Sequence, residues 1–185
     1  MSDKKTEKYR LFVAIELPQK VKQTLMELQN QLSGVRKVPS DQIHLTIRFI
    51  GDVKKDRINR LVEYFKDISL SNFYLDIQGV GTFPNKHHPK VVWAGVGDNG
   101  KLEKLYKQVE KAVVSFGEKP ENRSFHPHIT LGRVRNPRKT NLNLFLNEYQ
   151  DLKILNIKVS EFILFRSILS GNGARHIPVH SYHLK

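Results

Sequence analysis

Two short segments of the sequence place a histidine and a threonine two residues apart within an apolar run. The first is His-Leu-Thr-Ile at residues 44–47, and the second is His-Ile-Thr-Leu at residues 128–131. Side chains alternate between the two faces of a β-strand, so in each segment the histidine and the threonine share one face. We predict that the two strands lie side by side and bring both imidazoles and both hydroxyls into one cleft.

Imidazoles and hydroxyls in one cleft are suited to proton transfer at a phosphate group. A histidine near its ordinary pKa accepts or donates a proton at neutral pH, and a threonine hydroxyl holds a phosphoryl oxygen. A single His-x-Thr is a weak motif, because a histidine in a strand is usually a satisfied, partly buried residue. Two copies, 84 residues apart and in matching contexts, favour His44 and His128 as catalytic residues, with Thr46 and Thr130 at the phosphate.

Strand-like and helix-like segments alternate around the motifs. Helical spacing of apolar residues predicts helices over residues 21–32, 58–65, 102–113 and, more weakly, 142–149. Apolar runs predict strands over residues 11–15, 43–50, 73–77, 91–96, 128–134, 154–165 and 177–184. This order indicates an α+β or a duplicated α/β architecture, with one helix and one motif strand in each half.

Composition limits the class of protein. The 185 residues are enough for one well-cored domain, 1–185, and the formal charge of +13 favours a polyanionic partner. The sequence has no cysteine, which excludes disulfides, zinc-thiolate sites and thiol nucleophiles. No apolar run approaches the roughly 20 residues that span a bilayer, and the first residues have no apolar signal core. We therefore expect a soluble, cytoplasmic monomer with no membrane association.

A glycine-rich segment between the two His-x-Thr motifs matches a nucleotide-binding pattern. Residues 95–100 match the pattern G-x-G-x-x-G, after a predicted strand and before a predicted helix. The rest of a dinucleotide-binding fingerprint is missing, since no second mononucleotide-binding half is visible. We interpret the segment as a strand-to-helix turn and expect no cofactor.

The remaining histidines do not form a recognisable metal motif. There is no H-E-x-x-H pattern and no cluster of carboxylates with histidines, so we expect a metal-independent site. His126 is placed to donate a hydrogen bond near the cleft. The three histidines of the last strand are interpreted as surface residues: His176, His180 and His183. Among the aromatic residues, Trp93 is assigned to the core, whereas Phe49 and Phe125 fit either core packing or base stacking.

Several longer segments resemble one family. They are residues 10–18, Phe83-Pro84, residues 92–96 and, above all, residues 123–133, which read Arg-Ser-Phe-His-Pro-His-Ile-Thr-Leu-Gly-Arg. Together they resemble the bacterial and archaeal RNA 2′,3′-cyclic phosphodiesterases, formerly called 2′-5′ RNA ligases, of the two-histidine phosphoesterase superfamily. The similarity covers nearly the whole chain.

The resemblance implies a bilobal, duplicated α+β fold in which two antiparallel sheets flank a central cleft and helices lie outside. It also implies metal-free hydrolysis of a terminal 2′,3′-cyclic phosphate to a 2′-phosphomonoester. In these terms His44 is the proton donor to the departing ribose O3′, and His128 is the proton acceptor that activates water. Thr46 and Thr130 bind the non-bridging oxygens, and Arg133 neutralises the charge that grows on the phosphorane.

Two further residues are possible substrate contacts. By strand alternation Arg48 shares a face with His44 and Thr46, which fits either a contact with the RNA backbone or a surface salt bridge. Phe83 is placed to stack on the terminal base.

The expected partners are RNA ends or nucleotides that carry a 2′,3′-cyclic phosphate. Two alternatives stay open from the sequence. The cleft could bind RNA ends without turnover, or the same site could join RNA ends reversibly through 2′-5′ linkages. Two titratable groups near neutrality favour the enzyme over the binding module.

Overall fold

The computed structural model describes residues 7–97, 99–171 and 173–185, apart from the side chain of Arg138. Within these residues the strands are β1 Lys8–Glu16, β2 Val35–Lys37, β3 His44–Lys54, β4 Phe73–Phe83, β5 Val91–Val96, β6 His128–Val134, β7 Lys153–Val159, β8 Glu161–Ser170 and β9 Gly173–His183. The α-helices are α1 Gln19–Asn30, α2 Ile58–Lys66, α3 Gly100–Phe116 and α4 Leu142–Glu148. Short 3₁₀ helices span Ser40–Gln42, Lys55–Arg57 and Pro137–Lys139. No helix among the described residues is long and apolar enough to cross a bilayer.

The strands form one antiparallel sheet in the order β7-β4-β5-β6-β3-β1-β8-β9, with β2 paired to β6. The predicted mixture of helices with antiparallel strands is therefore confirmed. The two predicted sheets are instead two halves of a single sheet, because the motif strands β3 and β6 pair with each other at Leu45 and Ile129. This one pair is the seam between the halves.

Each half repeats one strand-helix-strand unit. In the first unit β1 and α1 are followed by the short strand β2, a 3₁₀ helix and then β3; in the second, β5, α3 and β6 follow directly in sequence. Each long helix packs against the motif strand of the other half, α1 on β6 and α3 on β3. The side-chain amide of Gln29 on α1 donates to the carbonyl of Leu131 on β6 at 2.8 Å. The arginine Arg48 on β3 pairs with Glu110 on α3 at 2.5 Å. The seam is thus braced from both sides.

The uninterrupted apolar run of β1 is explained by burial on both faces. Leu11, Val13 and Ile15 pack into the main core beneath the sheet. Phe12 and Ala14 face the opposite side, where they form a small second cluster with Ile163 and Phe165. A strand between two paired neighbours with both faces covered needs no polar alternation.

Three predicted elements differ from the structure. The strand predicted over residues 154–165 is two strands that divide at Ser160, because β7 pairs with β4 whereas β8 pairs with β1. The strand predicted from Ile177 begins at Gly173 and makes β9 a close hairpin partner of β8. The strand predicted over residues 73–77 extends to Phe83 as β4, because residues 80–83 pair with β5.

The glycine-rich segment is a turn between a strand and a helix, as predicted. β5 ends at Val96 and α3 begins at Gly100, while Asp98 lies outside the described residues. The side-chain oxygen of Asn99 accepts hydrogen bonds from the backbone N–H groups of Lys101 and Leu102, both at 3.1 Å. The asparagine therefore caps the helix in the ordinary way.

Candidate active site

The two His-x-Thr motifs share one face of the sheet at the seam. Leu45 and Ile129, which pair there, are fully buried in the core below. An antiparallel pair at this point places His44 beside Thr130 and Thr46 beside His128, on the opposite face. The structure therefore brings the four motif side chains together.

Both imidazoles are oriented by the main chain two residues before them. Nδ1 of His128 lies 2.7 Å from the carbonyl oxygen of His126, and His44 hydrogen-bonds to the main chain of Gln42. A ring that donates from Nδ1 leaves Nε2 free for the cleft. Nε2 of His44 lies 3.1 Å from the hydroxyl oxygen of Thr46. His126 contributes its carbonyl in this way, while its own imidazole lines the cavity.

The pKa values of both motif histidines are lowered. Burial lowers the pKa of His44 from 6.5 to about 4, and the neighbouring imidazole of His176 acts in the same direction. Burial also lowers the pKa of His128, while the bond to the His126 carbonyl opposes this effect. In the unliganded protein both rings are consequently neutral at pH 7, and each has a ring nitrogen that can accept a proton.

A bulge interrupts β3 directly after its motif. Thr46 pairs with Ala14 and Arg48 pairs with Val13, so Ile47 is an extra residue without a partner on β1. An extra residue reverses the alternation of the side chains that follow it. The residue that returns to the motif face is therefore Phe49, and Arg48 turns away from it.

The prediction that Arg48 shares a face with the motif is wrong for this reason. The side chain of Arg48 is only 8% exposed. Its Nε donates to Glu110 at 2.5 Å, and its Nη2 donates to the carbonyl of Lys119 at 2.7 Å. Its Nη1 bonds to the carbonyl of Phe49 and lies 3.8 Å from Glu121. Arg48 thus forms a buried ion pair that joins β3 to α3, and it also lines part of the cavity above the motifs.

A bulge in β6, like the one in β3, follows the motif, but here it turns an arginine towards the motif face. Leu131 is the residue without a partner on β5, and Arg133 returns to the face of Thr130. Arg133 is exposed and lines the cavity above the motifs. Gly132 occupies the inward position, where a Cβ would lie 2.4 Å from Cγ1 of Val35. Only a glycine fits this inward position without displacing β2.

A cavity of about 810 Å³ opens over the motif face. Thr46, His128 and Thr130 line its floor, and the aromatic residues of its lining are Phe49, Phe83, Tyr106 and Phe125. This volume lies in the range of small-molecule sites. From the sequence, Phe49 fitted either core packing or base stacking. In the structure 59% of its surface is exposed, so it is not a core residue.

The aromatic residues around His128 differ in their burial. The ring of Phe83 lies 4.8 Å from the ring of His128 at 82°, in an edge-to-face contact. Trp93, assigned to the core, is partly buried with its ring 6.3 Å from His128. Phe125 stacks on Tyr106 at 4.2 Å and so forms part of the cavity wall.

Sequence reasoning missed His176 on β9. It was assigned to the surface, but its ring lies 5.2 Å from that of His44. His180 and His183 are exposed, as expected. No spacing in the sequence could reveal the difference, because His176 reaches the site only through the register of β9 on β8, β8 on β1 and β1 on β3.

Within the part of the chain that the structure describes, no group of three or more histidines and carboxylates is placed to hold a metal ion. The chemistry open to the site from its own residues is proton transfer by two imidazoles beside hydroxyl and guanidinium donors.

Residues 15–93 and 96–176 match the family model of the LigT-like phosphoesterases, and each range contains one His-x-Thr motif. The chain belongs to this family. It is therefore a phosphoesterase of the two-histidine class, in agreement with the resemblance seen in the sequence.

Curated relatives share the family over most of their length. An RNA 2′,3′-cyclic phosphodiesterase of Archaeoglobus fulgidus is 33% identical over 170 residues, which cover 89% of this chain and 94% of that protein. One of Aeropyrum pernix is 35% identical over 141 residues, 75% of this chain and 80% of the relative. A solved structure of E. coli LigT complexed with 3′-AMP superposes with a TM-score of 0.78 at 26% identity and covers 97% of this chain and 99% of that one.

Proposed function

We propose that this phosphoesterase hydrolyses a 2′,3′-cyclic phosphate at the end of an RNA chain to a 2′-phosphomonoester, without a metal ion. The observation that carries the proposal is the arrangement of the two motif histidines. Each is held by a main-chain bond two residues before it, and both belong to one face of the seam. The names of the curated relatives support the substrate.

In-line displacement at phosphorus needs a base and an acid on opposite sides of the phosphate. His128 takes a proton from water, whose oxygen forms the new bond to phosphorus. The bond from phosphorus to O3′ breaks, and His44 gives its proton to that oxygen. The hydroxyls of Thr46 and Thr130 donate to the non-bridging oxygens. Arg133 stabilises the charge that these oxygens gain in the transition state.

Substrate binding completes the protonation state that the reaction needs. The pKa of His44 is about 4 in the unliganded protein, so its proton donor form is rare at pH 7. A phosphodiester anion placed beside the ring favours the imidazolium and raises this pKa. The acid is therefore charged mainly when the cyclic phosphate is bound.

The surroundings of the cavity fit an RNA end. The chain carries 31 basic and 18 acidic residues, which attracts a polyanion. Phe49 and Phe83 offer ring faces or edges at the walls, where bases stack on aromatic side chains. We propose that the 185 residues act as one domain and as a monomer, which light scattering of the purified protein tests directly.

The decisive experiment is to incubate the purified protein, in EDTA, with an oligoribonucleotide that ends in a 2′,3′-cyclic phosphate. A 2′-phosphate end from wild type and from the exposed control His183→Ala, but not from His44→Ala or His128→Ala, supports the proposal. An unchanged end with the RNA still bound would favour a binding module. A joined product with RNA that carries a 5′-hydroxyl would favour 2′-5′ ligation.

A further inference from the structure

A third histidine, His176, packs its ring against the ring of His44. The ring of His176 stands edge-on to that of His44, with 5.2 Å between centroids and 67° between planes. It stands edge-on to Phe12 as well, at 4.8 Å and 69°. Phe165 stacks on Phe12 at 5.3 Å and closes the group. The four rings form a small aromatic cluster on the motif face of the sheet.

One residue ties both histidines of this cluster together. The main chain of Gln42 holds the ring of His44. The side-chain Nε2 of Gln42 donates to the carbonyl of Ala174 at 2.5 Å. Ala174 lies two residues before His176 on β9. The strand that carries His176 is therefore anchored to the residue that orients His44.

The second motif histidine has a different histidine neighbour, His126, which also disfavours a charge on it. His128 has the equivalent main-chain bond, to His126, but the rings that pack on it most closely are Phe83 at 4.8 Å and Trp93 at 6.3 Å. An edge-on histidine ring from a strand distant in sequence is thus described at His44 and not among the ring contacts of His128.

The ring of His176 is poorly placed to carry a charge. Its Nδ1 is buried and has no hydrogen-bond partner among the described residues. An imidazolium has two N–H donors and needs an acceptor for each, so burial disfavours it. Burial lowers the pKa of His176, although the carboxylate of Asp41 acts in the other direction.

Other charged groups face the pair from each neighbouring element. From β1, Glu16 pairs with His44 across the strands, and its carboxylate binds Lys22 of α1 at 3.0 Å. Lys22 and His128 of β6 both disfavour a charge on His44. These groups remain in place when His176 is replaced, so a change in the titration of His44 reports on His176 alone.

We propose that His176 is a positioning residue of the site, which packs edge-on against His44 and keeps the pair of imidazoles from carrying more than one positive charge. Two imidazolium ions at this separation, away from water, repel each other strongly. Below neutral pH, a charge on His176 thereby adds to the burial that keeps His44 uncharged until an anion binds. The catalytic consequence rests on the proposed function, in which His44 moves a proton.

The first test needs no substrate. The ring signals of His44 are followed by NMR as pH is varied in wild type, in His176→Phe and in the control His180→Phe, which changes an exposed histidine of the same strand. Phenylalanine keeps the edge-on packing and removes the titratable group. We expect the titration of His44 to move to higher pH, on the order of one pH unit, only in His176→Phe. An unchanged titration would overturn the proposal; His176→Asn is the second variant if the first does not fold.

The second test measures kcat/KM against pH for the cyclic phosphate reaction. In His176→Phe we expect the part of the kcat/KM profile that reports the titration of His44 to move to higher pH. The maximal kcat/KM stays within a few-fold of wild type. A raised KM with an unmoved profile would show instead that His176 binds substrate, and would overturn the proposal. A wild type without hydrolytic activity would refute the proposed function, while the NMR titration would still decide on His176.

Discussion

Phe49 and Arg133 occupy equivalent positions in the two halves of the site. Each follows its motif histidine by five residues, and each is turned onto the motif face by a bulge, at Ile47 and at Leu131. Both line the same cavity. The duplicated scaffold therefore presents an aromatic ring in one half and a guanidinium in the other, which suits a ligand with a base and a phosphate.

Replacement of Arg133 tests the phosphate side of this relationship. Arg133→Gln removes a charged donor from the developing phosphorane, and we expect kcat to fall by about 100-fold. Arg133→Lys keeps the positive charge but loses the paired N–H donors of the guanidinium. Its kcat should therefore lie between those of wild type and Arg133→Gln. Because the side chain is exposed, thermal unfolding should be unchanged. A kcat equal to wild type in Arg133→Gln would exclude the residue from the reaction.

Replacement of Phe49 tests the base side. Phe49→Ala should raise KM for an oligoribonucleotide by about 5- to 100-fold and leave kcat nearly unchanged, since stacking of one base contributes about 1–3 kcal/mol. Tyr74→Ala is the matched control, because Tyr74 is equally exposed, 58% against 59%, but lies outside the cavity. Steady-state kinetics of both variants decides the point. Equal KM values in the two variants would contradict a stacking role.

Replacement of Arg48 separates a structural role from contact with RNA. Arg48→Met leaves Glu110 and Glu121 without their buried partner, and we expect a loss of about 3–5 kcal/mol in the free energy of unfolding. Glu110→Gln should destabilise the protein in the same direction. Urea unfolding measures both. If Arg48→Met were as stable as wild type but had a raised KM, the contact with RNA would be restored as its role.

The lowered pKa of His44 makes folding depend on pH. In the unfolded chain this histidine has a pKa near 6.5, whereas the folded value is about 4. The unfolded state binds more protons between these values, so the free energy of unfolding falls as pH drops through this window. The loss attributable to His44 is at most about 3 kcal/mol. Urea unfolding of wild type and His44→Gln across this range should show the smaller pH dependence in the variant; equal dependence would contradict the burial of the ring.

Most of the site could be predicted from the sequence because it depends on local alternation. The pairing of a histidine with a threonine on one strand face follows from a period of two, and the structure places His44, Thr46, His128 and Thr130 on one face. The helices also follow from spacing, as with the buried Leu25 and the other apolar residues of α1.

The sequence failed where a single residue changes the register. The bulge at Ile47 reversed the directions of Arg48 and Phe49, and no local pattern indicates such an insertion. His176 was missed for a related reason, since it reaches His44 across three strand pairings that are distant in sequence. The single sheet likewise depends on one pair between Leu45 and Ile129 that spacing does not reveal.

The central claim is that two histidines share acid and base work on a cyclic phosphate. Its most direct test is kcat/KM against pH for wild type in EDTA, with His183→Gln as the control at an exposed histidine. Because the pKa of His44 is about 4 and burial also lowers the pKa of His128, we predict a bell-shaped profile with its maximum on the acidic side of neutrality. A profile that stays flat from about pH 4 to pH 8 would contradict paired-histidine catalysis.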